Sequence, residues 1–205
     1  MDTLEKPPLF LLIVRERLRP GMEQAYNENE LELATACATL KCPHPYLALA
    51  SVAGPKEVWW LNAFASQEEK DQLGAVYARN EPLMAKLTEL GKRKEGYREA
   101  LSTTLTEYRP NLSGGVMLRI AGARVFVMTL VHDEREVAGA VFESSDRERF
   151  VVAPANTHAA AVRLAAQAGP GSMILVVQPE WSFPAEAWIA ADPAFWSSSP
   201  AARNT

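Results

Sequence analysis

The first half of the chain alternates between runs that are apolar on both sides and stretches with helical spacing. Leu9 to Val14 are apolar without interruption, which predicts a strand over 9–18 covered on both faces and closed by the turn Arg19-Pro20-Gly21. From Met22 the apolar positions Met22, Tyr26, Leu33, Cys37 and Leu40 follow the spacing of an amphipathic helix, with Glu23, Glu28, Glu30 and Glu32 on its wet side. Cys42-Pro43-His44-Pro45 stops that helix, because each proline removes a backbone donor and fixes φ. Residues 46–52 and 58–65 read as two strands joined by the short link Ala53-Gly54-Pro55-Lys56-Glu57.

Ser66 followed by Glu69 is a capping box, so a second helix starts there. Pro82 is tolerated only in a first helical turn, which splits this helix into two pieces. The first turns Leu73, Val76 and Tyr77 inward, and the second turns Leu83, Met84, Leu87 and Leu90 inward and closes at Gly91. A short basic helical stretch then leads to a fourth strand at 104–108. The order is β-α-β-β-α-β, an α+β fold class of the ferredoxin-like α/β sandwich type.

Ser113-Gly114-Gly115 marks a boundary between a unit over 1–112 and a second unit over 113–205. The second unit is strand-rich, with strands at 116–120, 124–132, 137–143, 149–153 and 173–178. A helix over 157–168 is capped by Asn156 or Thr157 and closed by Gly169-Pro170. The aromatic stretch 181–196 follows, and the residues from Ser197 onward are small, polar and expected to fray. With 124–132 as its first strand, the second unit repeats the order of the first without its first helix, in element order only.

A sheet with helices on one side normally alternates apolar and polar residues, because its other face is wet. Here Trp59, Leu61 and Ala63 oppose Val58, Trp60, Asn62 and Phe64, and 46–52 is apolar on both sides too. Leaving such side chains bare forgoes about 1.5–3 kcal/mol each, so either the second half of the chain or a second copy must cover the face.

Composition narrows the classes. The 205 residues carry a formal net charge of −4 with both signs interspersed, which excludes the electrostatic footprint of a nucleic-acid or anionic-membrane binder. The cluster Lys92, Arg93, Lys94 reads as a solvated helix face. The apolar run near the N-terminus falls far short of the roughly 20 residues a membrane span needs. Cys37 and Cys42 are too close for a disulfide framework and lack partners for a zinc site, so no metal and no cofactor is expected, in a reducing, cytoplasmic setting.

The strand-helix-hairpin-helix order, with Val58 to Ser66 (VWWLNAFAS) and Thr106 to Ser113 (TEYRPNLS), resembles the dimeric α/β-barrel superfamily, in particular the NIPSNAP-like and antibiotic-biosynthesis-monooxygenase-like proteins. The resemblance covers roughly residues 9–113. It implies two sheets packed face to face, between chains of a homodimer or within one chain, around a small-molecule cavity lined by the face away from the helices. The superfamily includes cofactor-free oxygenases, heme degraders, isomerases and stress-response proteins, so the fold does not settle the activity.

Four residues are candidates for such a pocket. Glu16 shares strand parity with Phe10, Leu12 and Val14 and reads either as a general base with a raised pKa in an apolar cavity or as an exposed strand end. Trp60 and Asn62 share one face of the third strand; the resemblance implies pocket residues of these types, and core packing explains them equally. The histidine that accompanies them on the second helix of heme degraders is missing. His44, between two prolines, could rim a pocket, while His132 and His158 read as surface or capping residues. Three expectations follow: a small-molecule-binding protein, a cofactor-free oxygenase or isomerase acting on a small aromatic substrate, or an interaction module with no pocket.

Overall fold

The computed structural model describes residues 7–131 and 138–203, so His132 and Val137, at the ends of two expected strands, lie outside it. The first half comprises β1 (Phe10–Leu18), α1 (Glu23–Thr39), β2 (Leu47–Ser51), β3 (Glu57–Phe64), α2 (Gln67–Ala78), α3 (Glu81–Lys94) and β4 (Arg98–Tyr108). The second comprises β5 (Val125–Val131), β6 (Ala140–Ser144), β7 (Arg149–Ala155), α4 (His158–Ala168), β8 (Ser172–Val177), α5 (Glu186–Ala191) and α6 (Pro193–Trp196). None of the described helices is long and apolar enough to cross a membrane.

The eight strands form one closed antiparallel barrel in the order β1-β3-β2-β8-β5-β7-β6-β4. The first half contributes the run β4-β1-β3-β2 and the second half the run β8-β5-β7-β6. Counted from its own first strand, each run reads fourth, first, third, second, and each half joins its second strand to the other's fourth. The second half of the same chain thus covers the sheet face that the apolar strands require to be covered. No second copy is needed for that purpose.

Strand alternation sorts the side chains into two layers. Leu11, Ile13, Leu47, Leu49, Trp59 and Leu61 point inward and meet Phe126, Met128, Phe142, Phe150, Val152, Leu175 and Val177 from the other half in one buried cluster. Trp188 and Trp196 of the aromatic tail join the same cluster, as do Leu118 and Ile120. The tail therefore closes the core, and Ser199, expected to fray, is fully buried. The segment 116–120 forms no strand; it supplies the apolar anchors Leu118 and Ile120 to the core from a coil.

Helix ends follow local chemistry. Ser66 accepts from Glu69 N–H at 3.1 Å and Glu69 returns to Ala65 N–H at 2.7 Å, while Asn80 caps α3 with Pro82 in its first turn. Of the two caps considered for α4, Thr157 is the one used, accepting from Ala160 N–H. Gly91 does not end α3, which continues to Lys94. The basic stretch Lys92 to Lys94 is helical as the last turn of α3, and β4 already starts at Arg98, because its backbone pairs with all of β1.

Candidate functional site

The outward layer of the first half is where charge accumulates. Glu16 lies on the outer face of β1, beneath α1 and α3, and is 2% exposed. Its carboxylate accepts from Arg98 Nη1 at 2.5 Å, Lys94 Nζ at 3.2 Å, Trp60 Nε1 at 3.3 Å and the Tyr26 hydroxyl. Lys94 Nζ reaches Glu30 Oε1 at 2.8 Å and sits 4.6 Å from the centre of the Trp60 ring. Glu30, expected on the wet side of α1, is fully buried, and Lys94, expected in a solvated cluster, is 7% exposed.

Both placements follow from spacing. Tyr26, Glu30, Leu33 and Cys37 are steps of four, three and four along α1, and Leu83, Leu87, Leu90 and Lys94 are the same steps along α3. Each charged residue therefore lies on the inward stripe of its helix, and the two stripes face each other. Assignment by residue type hid this signal, whereas assignment by position reveals it.

The buried carboxyls are driven in opposite directions. Burial alone would raise Glu16, but Lys94, Tyr26 and Arg98 together outweigh it and hold the carboxyl below its ordinary range. Glu16 is therefore not the base of raised pKa expected in an apolar cavity. Glu30 is the raised group, because burial exceeds the attraction of its single cation, Lys94, and Glu16 repels it. Burial and the two glutamates likewise push the Tyr26 hydroxyl far up. Lys94 is thus shared between Glu16 and Glu30, while Arg98 serves Glu16 as a second cation.

Above this cluster lies a pocket of about 270 Å³ between the sheet and the helices. Val14, Leu33, Cys37 and Leu87 give it apolar walls, Trp60, Tyr46 and Tyr77 give it aromatic ones, and Glu16, Lys94 and Asn62 bring polar groups. The Tyr46 hydroxyl lies beside Cys37 without a well-formed hydrogen bond, and burial drives its pKa up. Three of the four candidates, Glu16, Trp60 and Asn62, thus line one pocket. It lies on the helix side of the sheet rather than between the two half-sheets, because even-numbered residues of β1 and β3 point outward. His44 is elsewhere, buried with its ring stacked on Phe64 at 4.5 Å and Nδ1 3.6 Å from Glu69. Burial lowers its pKa against the pull of Glu69.

Arg98, Tyr26, Tyr46 and Glu30 were not anticipated at this site. A third buried carboxyl, Glu57, sits on the barrel's inner side, held by Arg15 at 3.3 Å, Arg17 at 3.1 Å and Trp59 Nε1 at 2.9 Å. Among the described residues no group of three or more side chains is arranged to hold a metal ion.

No protein-family model matches the chain, and no curated protein is significantly similar to it. Among solved structures, a monooxygenase candidate from Fusobacterium nucleatum superposes with a TM-score of 0.53 at 8% identity, covering 88% of this chain and 94% of that one. A monooxygenase candidate from Lactobacillus acidophilus superposes at 0.45 with 7% identity over 84% and 93% of the two chains. An anthrone oxidase-like protein does so at 0.47 with 12% identity over 87% and 94%. The likeness to the Fusobacterium structure is one of fold alone, shared by a chain whose eight strands close an antiparallel barrel flanked by helices.

Proposed function

We propose that the chain binds a small planar molecule with an ionisable oxygen, such as a phenol or enol, in the pocket between its first half-sheet and helices α1 to α3. The observation that carries the reading is the double role of Trp60, which lines the pocket and also ties Glu16 and Lys94 together at its floor. A flat apolar ring suits the aromatic and aliphatic walls, and a volume of about 270 Å³ suits one or two fused rings. The Lys94 ammonium, together with the Asn62 amide and Tyr46 hydroxyl on the pocket wall, favours an oxyanion over a neutral apolar ligand. The two units over 1–112 and 113–205 are, in this reading, two versions of one ferredoxin-like plan, supported by their equal strand order.

The test is binding of 2-naphthol, followed by calorimetry and by quenching of tryptophan fluorescence. We expect saturable binding by the native chain, weakened at least about tenfold in Trp60→Ala and several-fold in Asn62→Ala, both folded by circular dichroism. Equal affinity in the native chain and Trp60→Ala would remove the site from this pocket. A catalytic reading, a cofactor-free oxygenase or isomerase acting on such a substrate, draws on the name of the Fusobacterium structure. In it Lys94 and Asn62 would stabilise a substrate oxyanion, and Glu16 would position Lys94 rather than take the proton, because its oxygens are already occupied by four donors. Oxygen uptake with 1,4-dihydroxynaphthalene, absent from Lys94→Met, separates this reading from simple binding.

A further inference from the structure

The end of α1 brings together two thiols that the binding site does not need. Lys41 adopts φ of 57°, in the left-handed region, and the Cys42 N–H donates to the Cys37 carbonyl at 2.8 Å. This six-to-one bond across a left-handed residue is the Schellman close of a helix, whose geometry sets the third-from-last helical side chain against the second one beyond the cap. Those positions are ordinarily filled by two aliphatic residues. Here both are cysteines, free, buried and packed in one cluster.

Their surroundings differ in ways that suit a division of labour. Cys42 lines an open surface groove of about 720 Å³, between the end of α1 and the segment around Phe183 and Ile189, so a small solute can reach it. Cys37 instead faces the inner pocket. Tyr77 Oη lies 3.1 Å from Cys42 Sγ and can donate to it. The hydrogen bond from Cys37, aided by Tyr77 and opposed by burial, lowers the Cys42 thiol to about 7, whereas its bond to Cys42 and its burial push Cys37 up.

We propose that Cys42 and Cys37 form a peroxide-responsive dithiol, with Cys42 the attacking and Cys37 the resolving residue. In the first step the Cys42 thiolate attacks one oxygen of hydrogen peroxide, the O–O bond breaks, and the leaving hydroxide takes a proton to become water, leaving a sulfenic acid. In the second step Cys37 sulfur attacks Cys42 sulfur, the S–O bond breaks, and the released hydroxide takes the Cys37 proton as a second water. The two sulfurs together lose two electrons and the peroxide gains them. The new bond draws Cys42 away from Tyr77, and because Cys37 and Tyr77 both wall the inner pocket, the redox state of the pair reaches the pocket's shape.

The experiment exposes reduced protein to hydrogen peroxide, then unfolds it in N-ethylmaleimide and reads the intact mass. The native chain should lose both alkylation sites and two hydrogens, remain a single chain, and recover both sites with dithiothreitol. Cys37→Ser should stop at a sulfenic acid trapped on Cys42 by dimedone, and Cys42→Ser should leave Cys37 fully alkylated. Retention of two alkylatable thiols under conditions that oxidise free cysteine in the same tube overturns the proposal. So does a disulfide formed between chains, or equal reactivity of the two serine variants. The native-chain measurement decides even if a variant fails to fold. Because the readout needs no ligand, its failure is separable from failure of the binding reading.

Discussion

On the outer face of the second half-sheet, Val125, Val127, Ala153 and Ala155 pack beneath Ala161 of α4 with Ala160, Leu164, Ala165, Ile174 and Val176 around them. On the outer face of the first, the equivalent layer holds Glu16, Tyr26, Glu30, Tyr46, Trp60 and Lys94, under helices that leave a pocket. The two half-sheets have the same strand order and share one core, so neither topology nor the barrel interior accounts for the difference. What differs is the size of the residues under the helices. Small alanines let α4 approach its sheet closely and exclude water, whereas large aromatics and long charged side chains hold α1 and α3 away and create a polar space. The dry face contributes stability, and the polar face gives up some of it for a site.

The sharpest way to break this contrast is to remove the cation. Lys94→Met leaves Glu16 short of one partner and Glu30 with none of opposite charge, and should destabilise the chain by about 3–5 kcal/mol in urea unfolding. The double variant Glu30→Met with Lys94→Met should recover part of that loss, because the buried charges are removed together. A double variant no more stable than Lys94→Met would mean that the pair is not a coupled unit.

The converse variant acts on the dry face. Ala161→Leu forces a larger side chain into the closest approach of α4 to its sheet and should cost about 1–3 kcal/mol by overpacking. An enlargement on the pocket wall, Leu33→Phe on α1, should be cheaper, because the first half-sheet's helices are already held apart. If the two cost the same, the looseness assigned to the first half is wrong.

Much of this architecture was legible in the sequence. The both-sided apolar strands demanded a second layer, and the second half of the chain supplies it. Trp60 and Asn62 were placed on one strand face by simple alternation, and that face does line a pocket. Which side of the sheet they point to was not legible, because strands apolar on both faces carry no label for inside and outside. Leu118 and Ile120 misled for a related reason: apolar residues in a coil that dips into the core look like a strand until a pairing partner is required. β4 was seen only at its end, since Arg98 to Thr103 are polar or exposed and carry little apolar signal. Glu30 and Lys94 were missed because charge suggested the surface, although their spacing placed them inside.

The smallest expected effect is in the pH dependence of stability, and it separates the two buried carboxyls that define the polar face. Glu30 has a folded pKa above the ordinary 4.5. Below that value it is protonated in both states and imposes no charge penalty. As pH rises through 4.5 the unfolded chain releases the proton while the folded chain keeps it, so stability falls until the folded pKa is passed. Glu16 has a folded pKa below 4.5, so its contribution is present above 4.5 and is lost as pH falls through the folded value. Urea midpoints from about pH 3 to about pH 8 should therefore show Glu30→Gln gaining on the native chain as pH rises past 4.5, and Glu16→Gln losing ground over the acid side of the same range. Among the described residues the outer face of the second half-sheet offers no buried carboxyl, so Val127→Ala should shift the midpoint by the same amount at every pH. A pH-dependent shift in Val127→Ala, or parallel curves for both glutamine variants, would show that the titrating charge is not held where the structure places it.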